Sequence, residues 1–387
     1  MDRGLVSNYA EQIRGVSYKP NDLHDGLDKD SVILLRANNI DDGKINFDDV
    51  VYVDRKKVSK SQYLQKGDIL ICASSGSKNL VGKAASVDFG TECTFGAFCK
   101  VVRPTKVTPE FLGLFFQSPS YRRKISALAQ GANINNIKNE HIDNLQLAIY
   151  SEREQRQIIE RLTRVITIIH ARKDELSKLD ELIKARFVEM FGDPQINPKG
   201  YKKETLNKHA DVFVGYPFKS EGYAETGIRI VGGYNLMQGY IVWNECKHWP
   251  ALRGYEQYLL QNGDIVMAMD RPWVNGGFKI ASVDEGHLPA LLIQRTACIR
   301  VNDVEQEFLY ELLNSNRFAE HCNITGSLVP HISNKDINSY EIILPPIAEQ
   351  KEFSEFVQQV DKSKAVIQKA LDETQILFDS LMQEYFG

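Results

Sequence analysis

The chain has 387 residues, 43% hydrophobic and 25% charged, with a formal net charge of −4. That length admits two or three domains of ordinary globular composition, and the acidic balance argues against a broadly basic nucleic-acid-binding surface, so any basic patch must be local. No run of 18 apolar residues is present, the start MDRGLVSNYAEQIRG lacks the apolar core of a secretory leader, and Cys72, Cys93, Cys99, Cys246, Cys298 and Cys322 show neither a C-x-x-C pair nor zinc-ligand spacing, so the expectations are no membrane span, no structural metal, reduced thiols and a cytoplasmic location.

Residues 1–150 predict a mixed α/β globular unit. Strands are expected at 31–40 and 50–53, around the turn Asp41-Asp42-Gly43. Gly67-Asp68 leads into a short apolar run at Ile69–Cys72, typical of a buried strand. A polar loop follows at 73–79, then a strand at 97–102 and helices at 109–117 and 120–128. The second of these helices carries Arg122-Arg123-Lys124, read as a solvated face. The Gly/Asn-rich stretch GANINNI at 131–137 is a turn, and a strand at 145–149 leads onward.

Residues 151–192 form the element around which the chain is organised. Ile158, Leu162, Val165, Ile169, Leu176, Leu179, Ile183 and Met190 alternate steps of three and four, with Arg172 and Arg186 in the two gaps. That is a coiled-coil seam, closed by Gly192-Asp193-Pro194. At ~1.5 Å per residue such a helix is roughly 60 Å long, and alone in water its seam needs a partner. Adding 195 to each seam position gives Phe353, Val357, Val360, Lys364, Ile367, Leu371, Thr374, Phe378, Leu381 and Tyr385, of which eight are apolar. The endings Glu189-Met190-Phe191-Gly192 and Glu384-Tyr385-Phe386-Gly387 also match. The chain is therefore a tandem repeat, and its two helices are predicted to pack antiparallel. The first carries nine basic against eight acidic residues over 151–190, and the second four against eight over 346–387, which favours their pairing.

Residues 193–345 repeat the first unit. Val214-Gly215-Tyr216 mirrors Val16-Ser17-Tyr18, and Gly263-Asp264-Ile265 mirrors Gly67-Asp68-Ile69. Glu307-Phe308-Leu309 mirrors Glu110-Phe111-Leu112, GSLVPHI at 326–332 mirrors GANINNI, and Glu349-Gln350 mirrors Glu154-Gln155. The frame agrees while the loops at 74–79 and 269–275 differ, as expected of one scaffold adapted to two targets.

Chemistry-bearing motifs are missing. GSKNLVGKA at 76–84 fails as a phosphate loop, because its Gly to Gly-Lys gap is one residue too long and Ala84 stands where Ser or Thr must hold magnesium. There is no G-x-S-x-G elbow, no paired His/Cys cluster and no Asn-Pro-Pro-aromatic motif, so a binding protein is favoured over an enzyme. The candidate binding residues are Lys19, Ser74, Ser75, Ser77, Lys78 and Asn79 in the first unit, and Tyr216, Lys219, Arg271, Trp273 and Asn275 in the second. Such groups can position on phosphates and read base edges, although each alone is as readily a solvated side chain and Trp273 a half-buried loop anchor.

The two-copy layout resembles the specificity subunit of type I restriction-modification systems, across essentially the whole chain. The resemblance is carried by Phe191-Gly192-Asp193, Asn197-Pro198-Lys199-Gly200-Tyr201, Val214-Gly215-Tyr216-Pro217-Phe218-Lys219-Ser220, Gly263-Asp264-Ile265, Leu344-Pro345-Pro346 and Glu349-Gln350. One departure is Ile149-Tyr150-Ser151, where the family usually has a proline-containing stop, so a less rigid joint is expected there.

The resemblance implies two target recognition domains at 1–150 and 193–345, and two spacer helices at 151–192 and 346–387, in a pseudo-two-fold tandem repeat. It implies recognition of a bipartite double-stranded DNA site without catalytic residues or a cofactor of the chain's own. Two modification subunits would carry S-adenosylmethionine, restriction subunits would join them, and ATP and magnesium would likewise be used by partner subunits. Two other classes stay open on the residues alone: a two-headed coiled-coil scaffold for proteins, and an autonomous DNA-modifying enzyme with unusual motifs.

Overall fold

In the computed structural model, residues 2–41, 43–77, 80–129, 135–274, 277–324 and 330–387 are described. The chain divides into two compact units, residues 1–173 with 369–387, and residues 174–368. Each unit thus takes in part of both long helices, Glu152–Phe191 and Ile347–Phe386, called here the central and terminal helices.

The first unit holds a four-stranded antiparallel sheet in the order Ala84–Ser86, Ile69–Cys72, Cys99–Pro104, Ala10–Arg14. A second sheet runs Cys93–Phe95, Ser31–Leu35, Val51–Asp54, Leu23–His24, with its first pair parallel. The second unit repeats the antiparallel sheet with Ala210–Val214, Thr296–Val301, Ile265–Ala268 and Ile280–Ser282, and again sets two strands parallel, Ile228–Val231 and Ala290–Leu292. The mixed α/β expectation holds. The apolar runs Ile69–Cys72 and Ile265–Ala268 are buried at every position, as a central strand covered on both faces must be.

The motifs that repeat are the ones that hold this frame. Asp68 is buried and receives Nε and Nη2 of Arg103, both at 2.8 Å; Asp264 receives the same two nitrogens of Arg300 at 2.8 and 2.7 Å. These charge-assisted hydrogen bonds raise the pKa of both arginines and lock each glycine-aspartate turn to the neighbouring strand. Gln155 accepts from the Thr108 amide at 3.0 Å and donates to the Tyr150 carbonyl at 2.9 Å, and Gln350 makes the same two bonds with Glu305 and Pro345 at 3.1 and 2.8 Å. Each long helix is thereby anchored at its start to the loop that precedes the helix Pro109–Gln117 or Gln306–Leu313.

Phe-Gly at the helix ends is a core plug. In the first unit Met382, Tyr385 and Phe386 of the terminal helix are buried, and Phe386 lies 5.1 Å from Phe111 and 6.1 Å from Phe115, ring centre to ring centre. In the second unit Phe187, Met190 and Phe191 are buried, with Phe191 4.9 Å from Phe308 and 5.6 Å from Phe353.

The helices run antiparallel. In the first unit Arg161 donates to the Tyr385 hydroxyl at 3.1 Å while Arg172 reaches Ala370 and Thr374. In the second unit Lys364 pairs with Asp180 at 2.7 Å and Arg186 with Glu352 at 2.8 Å, so rising numbers on one helix meet falling numbers on the other. Every seam position is buried or half-buried, Leu176, Leu179, Ile367 and Leu371 being half-buried at mid-helix. The Tyr150–Ser151 joint is firmer than expected: Glu154 accepts from the Ser151 amide and hydroxyl at 2.8 and 2.7 Å, the Ser151 hydroxyl accepts the Glu154 amide, and Tyr150 packs edge-on to Phe111. This S-x-x-E capping box replaces the proline.

Candidate nucleic-acid interface

Three separated segments meet at one edge of each unit. In the first, Ser74–Ser75 leaves the buried strand Ile69–Cys72 and pairs antiparallel with Asn135–Asn136, Asn136 facing Ser74. The Ala73 and Ser74 amides both donate to the carbonyl of Phe98, at 2.8 and 3.0 Å. Phe98 sits in the turn Gly96-Ala97-Phe98-Cys99, closed by the Cys99 amide on the Gly96 carbonyl at 2.8 Å. That turn bridges in parallel to Val16. Gly15 makes the approach possible, since a Cβ there would lie 2.1 Å from the Gly96 carbonyl oxygen.

The second unit is built the same way with other side chains. Asp270 bridges to His331, the Ile332 amide donates to the Met269 carbonyl at 2.8 Å, and the Met269 amide donates to the Arg295 carbonyl at 2.9 Å. The Gln294 amide donates to Tyr216 at 2.9 Å, and a Cβ on Gly215 would lie 2.2 Å from the Ile293 carbonyl oxygen. Here the edge is charged. The Asp270 carboxylate takes Nδ1 of His331 at 2.6 Å and Nη1 of Arg295 at 3.1 Å. Arg271 and Arg295 both have left-handed backbone, φ 46° and 64°, uncommon for non-glycine residues.

The structure brings some of the expected residues together. Ser74 and Ser75 lie at the first junction, half-buried, with the Ser75 hydroxyl accepting the amide of exposed Ser77 at 3.1 Å. Arg271, exposed, lies at the second junction, its amide on the Pro330 carbonyl at 3.1 Å. Tyr216 joins through its backbone, but its ring is half-buried among Phe218, Tyr255 and Tyr258 at 5.0–5.3 Å. Trp273 is half-buried and edge-on to Phe278 at 4.8 Å, the geometry of a loop anchor. Lys19 and Lys219 are exposed and stand at the starts of the short turns Pro20–Asp22 and Ser220–Gly222, each three residues beyond Val16 or Tyr216. Lys78, Asn79 and Asn275 lie outside the described residues.

Sequence reasoning did not single out Phe98, Asn136, Arg295 and His331, which lie at the two junctions, and it took in Asp270 only as part of the loop 269–275. A signal existed: GANINNI and GSLVPHI stood out as repeated, and the Glu110/Glu307 correspondence, carried back along the chain, sets Phe98 against Arg295. Burial raises the pKa of the Cys72 thiol beneath the first junction and keeps it neutral. Among the described residues no group of His, Cys, Asp and Glu could hold a metal ion, and no helix is long and apolar enough to cross a membrane. What the two edges offer is hydroxyl, amide, guanidinium, carboxylate and aromatic groups on clamped backbone, the groups that read base edges.

The family model for the type I restriction modification DNA specificity domain matches residues 31–179 and 249–374. The chain is 31% identical over 404 residues to the EcoKI specificity subunit of Escherichia coli (strain K12), covering 98% of this chain and 86% of that protein. It is 29% identical over 407 residues to the StySPI specificity subunit of Salmonella potsdam, with the same coverage of 98% and 86%. In fold it is similar to the crystal structure of the type I S subunit from M. genitalium, with TM-score 0.53, 13% identity, and 100% and 96% of the two chains covered. The twice-matched domain and the likeness to specificity subunits over 98% of the chain leave one assignment: the chain belongs to the type I restriction-modification DNA specificity family.

Proposed function

We propose that this specificity subunit reads a bipartite double-stranded DNA site, each unit contacting one half-site through its three-segment junction. In this reading 1–150 and 193–345 are the recognition domains, and the helices of 151–192 and 346–387 are spacers that hold two modification subunits and, through them, restriction subunits in the cytoplasm. The chain contributes no catalytic residue and binds no cofactor. S-adenosylmethionine, ATP and magnesium belong to its partners. One observation carries the reading: the same backbone junction occurs in both units with Ser74, Ser75, Phe98 and Asn136 on one and Asp270, Arg271, Arg295 and His331 on the other. A shared frame with different polar side chains suits two different half-sites. Exposed Ile168, Leu182, Val366, Ile376 and Leu377 on the two helices support the docking of partner subunits there.

The test is to purify the chain with the modification subunits and map methylated bases on plasmid DNA. Methylation at one two-part motif is expected. Methylation without a motif, or methyl transfer by this chain alone, would overturn the reading.

A further inference from the structure

Arg295, in the turn before the strand Thr296–Val301, differs from the paired arginine within that strand. Arg300 spends Nε and Nη2 on buried Asp264, with Nη2 also on the Leu259 carbonyl, and so serves the fold. Arg295 is 73% exposed, and its carboxylate partner, Asp270, is itself part exposed. A pair so exposed adds little to stability, yet it is held from several directions. The Arg295 carbonyl accepts the Met269 amide, the neighbouring Gln294 amide is tied to Tyr216, and Asp270 is held in turn by His331 at 2.6 Å. A left-handed backbone at a non-glycine residue persists only where its surroundings fix it, and it is often found at functional sites. A guanidinium has five N–H donors, and one contact to Asp270 leaves enough for a two-bond fork.

The corresponding turn of the first unit carries Phe98, 70% exposed, with its carbonyl accepting two amides. This ring lies mostly outside the core, and among the described junction residues Ser74, Ser75 and Asn136 beside it are uncharged. An apolar side chain held out on clamped backbone suits the methyl group of thymine, as a guanidinium fork suits O6 and N7 of guanine.

Resting on the reading of DNA by these junctions, we propose that Arg295, aimed by Asp270, reads a guanine in the half-site of the second unit, and that Phe98 holds the same post over a thymine in the other half-site. The two halves of the target then differ at matching positions because one turn carries a fork and the other a ring.

The experiment uses the full chain assembled with its modification subunits, with methylated bases mapped across a plasmid library of randomised sites. Arg295→Ala is expected to lower discrimination at one guanine of one half-site by about 5- to 150-fold, leaving the other half-site unchanged. Arg295→Lys keeps the charge but loses the fork, so it should relax the same position. Asp270→Asn should relax it less, and Phe98→Ala should relax a thymine in the other half-site only. If Arg295→Ala leaves every base preference intact, or weakens methylation evenly while Arg295→Lys restores it, the arginine is a bystander or a phosphate contact and the assignment fails. A wild-type assembly that methylates without a motif would overturn the reading beneath it instead.

Discussion

Arg172 of the central helix donates to the hydroxyl of Thr374 and the carbonyl of Ala370 on the terminal helix. Thr374 occupies the repeat position of Leu179. In a dimer of two half-chains, residues 1–192, each Arg172 would therefore meet Leu179 of the other copy and lose its acceptor hydroxyl. Such a half-chain has the means to pair: its Phe187, Met190 and Phe191 stand at the repeat positions of Met382, Tyr385 and Phe386, which plug the first unit's core. The hypothesis is that it dimerises, antiparallel about a two-fold axis, and with modification subunits directs methylation at a palindromic bipartite site. Arg172→Leu should tighten that dimer, by roughly 1 kcal/mol per arginine relieved of an unmatched seam position. Sedimentation of both half-chains decides; a folded monomer, or methylation at an asymmetric site, shows that the copies are not interchangeable.

Leu179 itself is half-buried and packs against the second unit's core. Leu179→Asp should put an unpaired carboxylate in the seam at a cost of about 2–3 kcal/mol. Thermal unfolding of the full chain reads this directly, and an unchanged midpoint would remove Leu179 from the seam.

Glu311 lines a cavity of about 510 Å³ in the second unit together with Asp180, Lys184, Asp361 and Lys364. Burial, reinforced by Asp180 and Asp361 and opposed by Lys184 and Lys364, raises its pKa from 4.5 to about 7. The folded state then holds this proton more tightly than the unfolded state. Stability from this group is full below about pH 4.5, falls as pH rises toward 7, and is flat above. Glu311→Gln should flatten that slope and gain on the order of 2 kcal/mol at pH 8. Denaturant melts at pH 5.5 and pH 8 test it: parallel losses in wild type and variant would place the slope elsewhere.

Arg271→Ala separates the two arginines of the second junction. If Arg271 pairs with a guanine, cognate binding by the assembled complex should weaken by about 1–3 kcal/mol and binding to scrambled duplex should not. Equal losses on both would make it a phosphate contact, and no loss on either would take it out of the interface.

Much of this fold was legible because its frame is local and repeated. The seam period, the Gly-Asp turns and the Glu-Gln helix starts are short-range signals, and each proved to sit on a contact that the frame needs: Asp68 on Arg103, Asp264 on Arg300, Gln155 on the Thr108 amide, Gln350 on the Glu305 amide. The site was less legible. Its residues come from segments about 25 to 60 positions apart, joined by backbone bonds such as Ser74 to Phe98 and Ile332 to Met269, which leave no periodicity to read. Polar loop composition drew attention to Trp273 and Tyr216, whose rings pack inward. It passed over Phe98 because the apolar run at 97–102 set it inside a strand, whereas that strand begins at Cys99 and Phe98 lies in the turn before it.

The last turns of the terminal helix complete the core of the unit that is synthesised first. During translation that unit is expected to keep an open apolar slot beside Phe111 and Phe115 until residues 382–386 have been made. Completion of the first unit's core therefore requires synthesis to have reached Phe386. A ribosome-held chain lacking residues 369–387 should be cleaved by protease in its first unit, where the released chain resists.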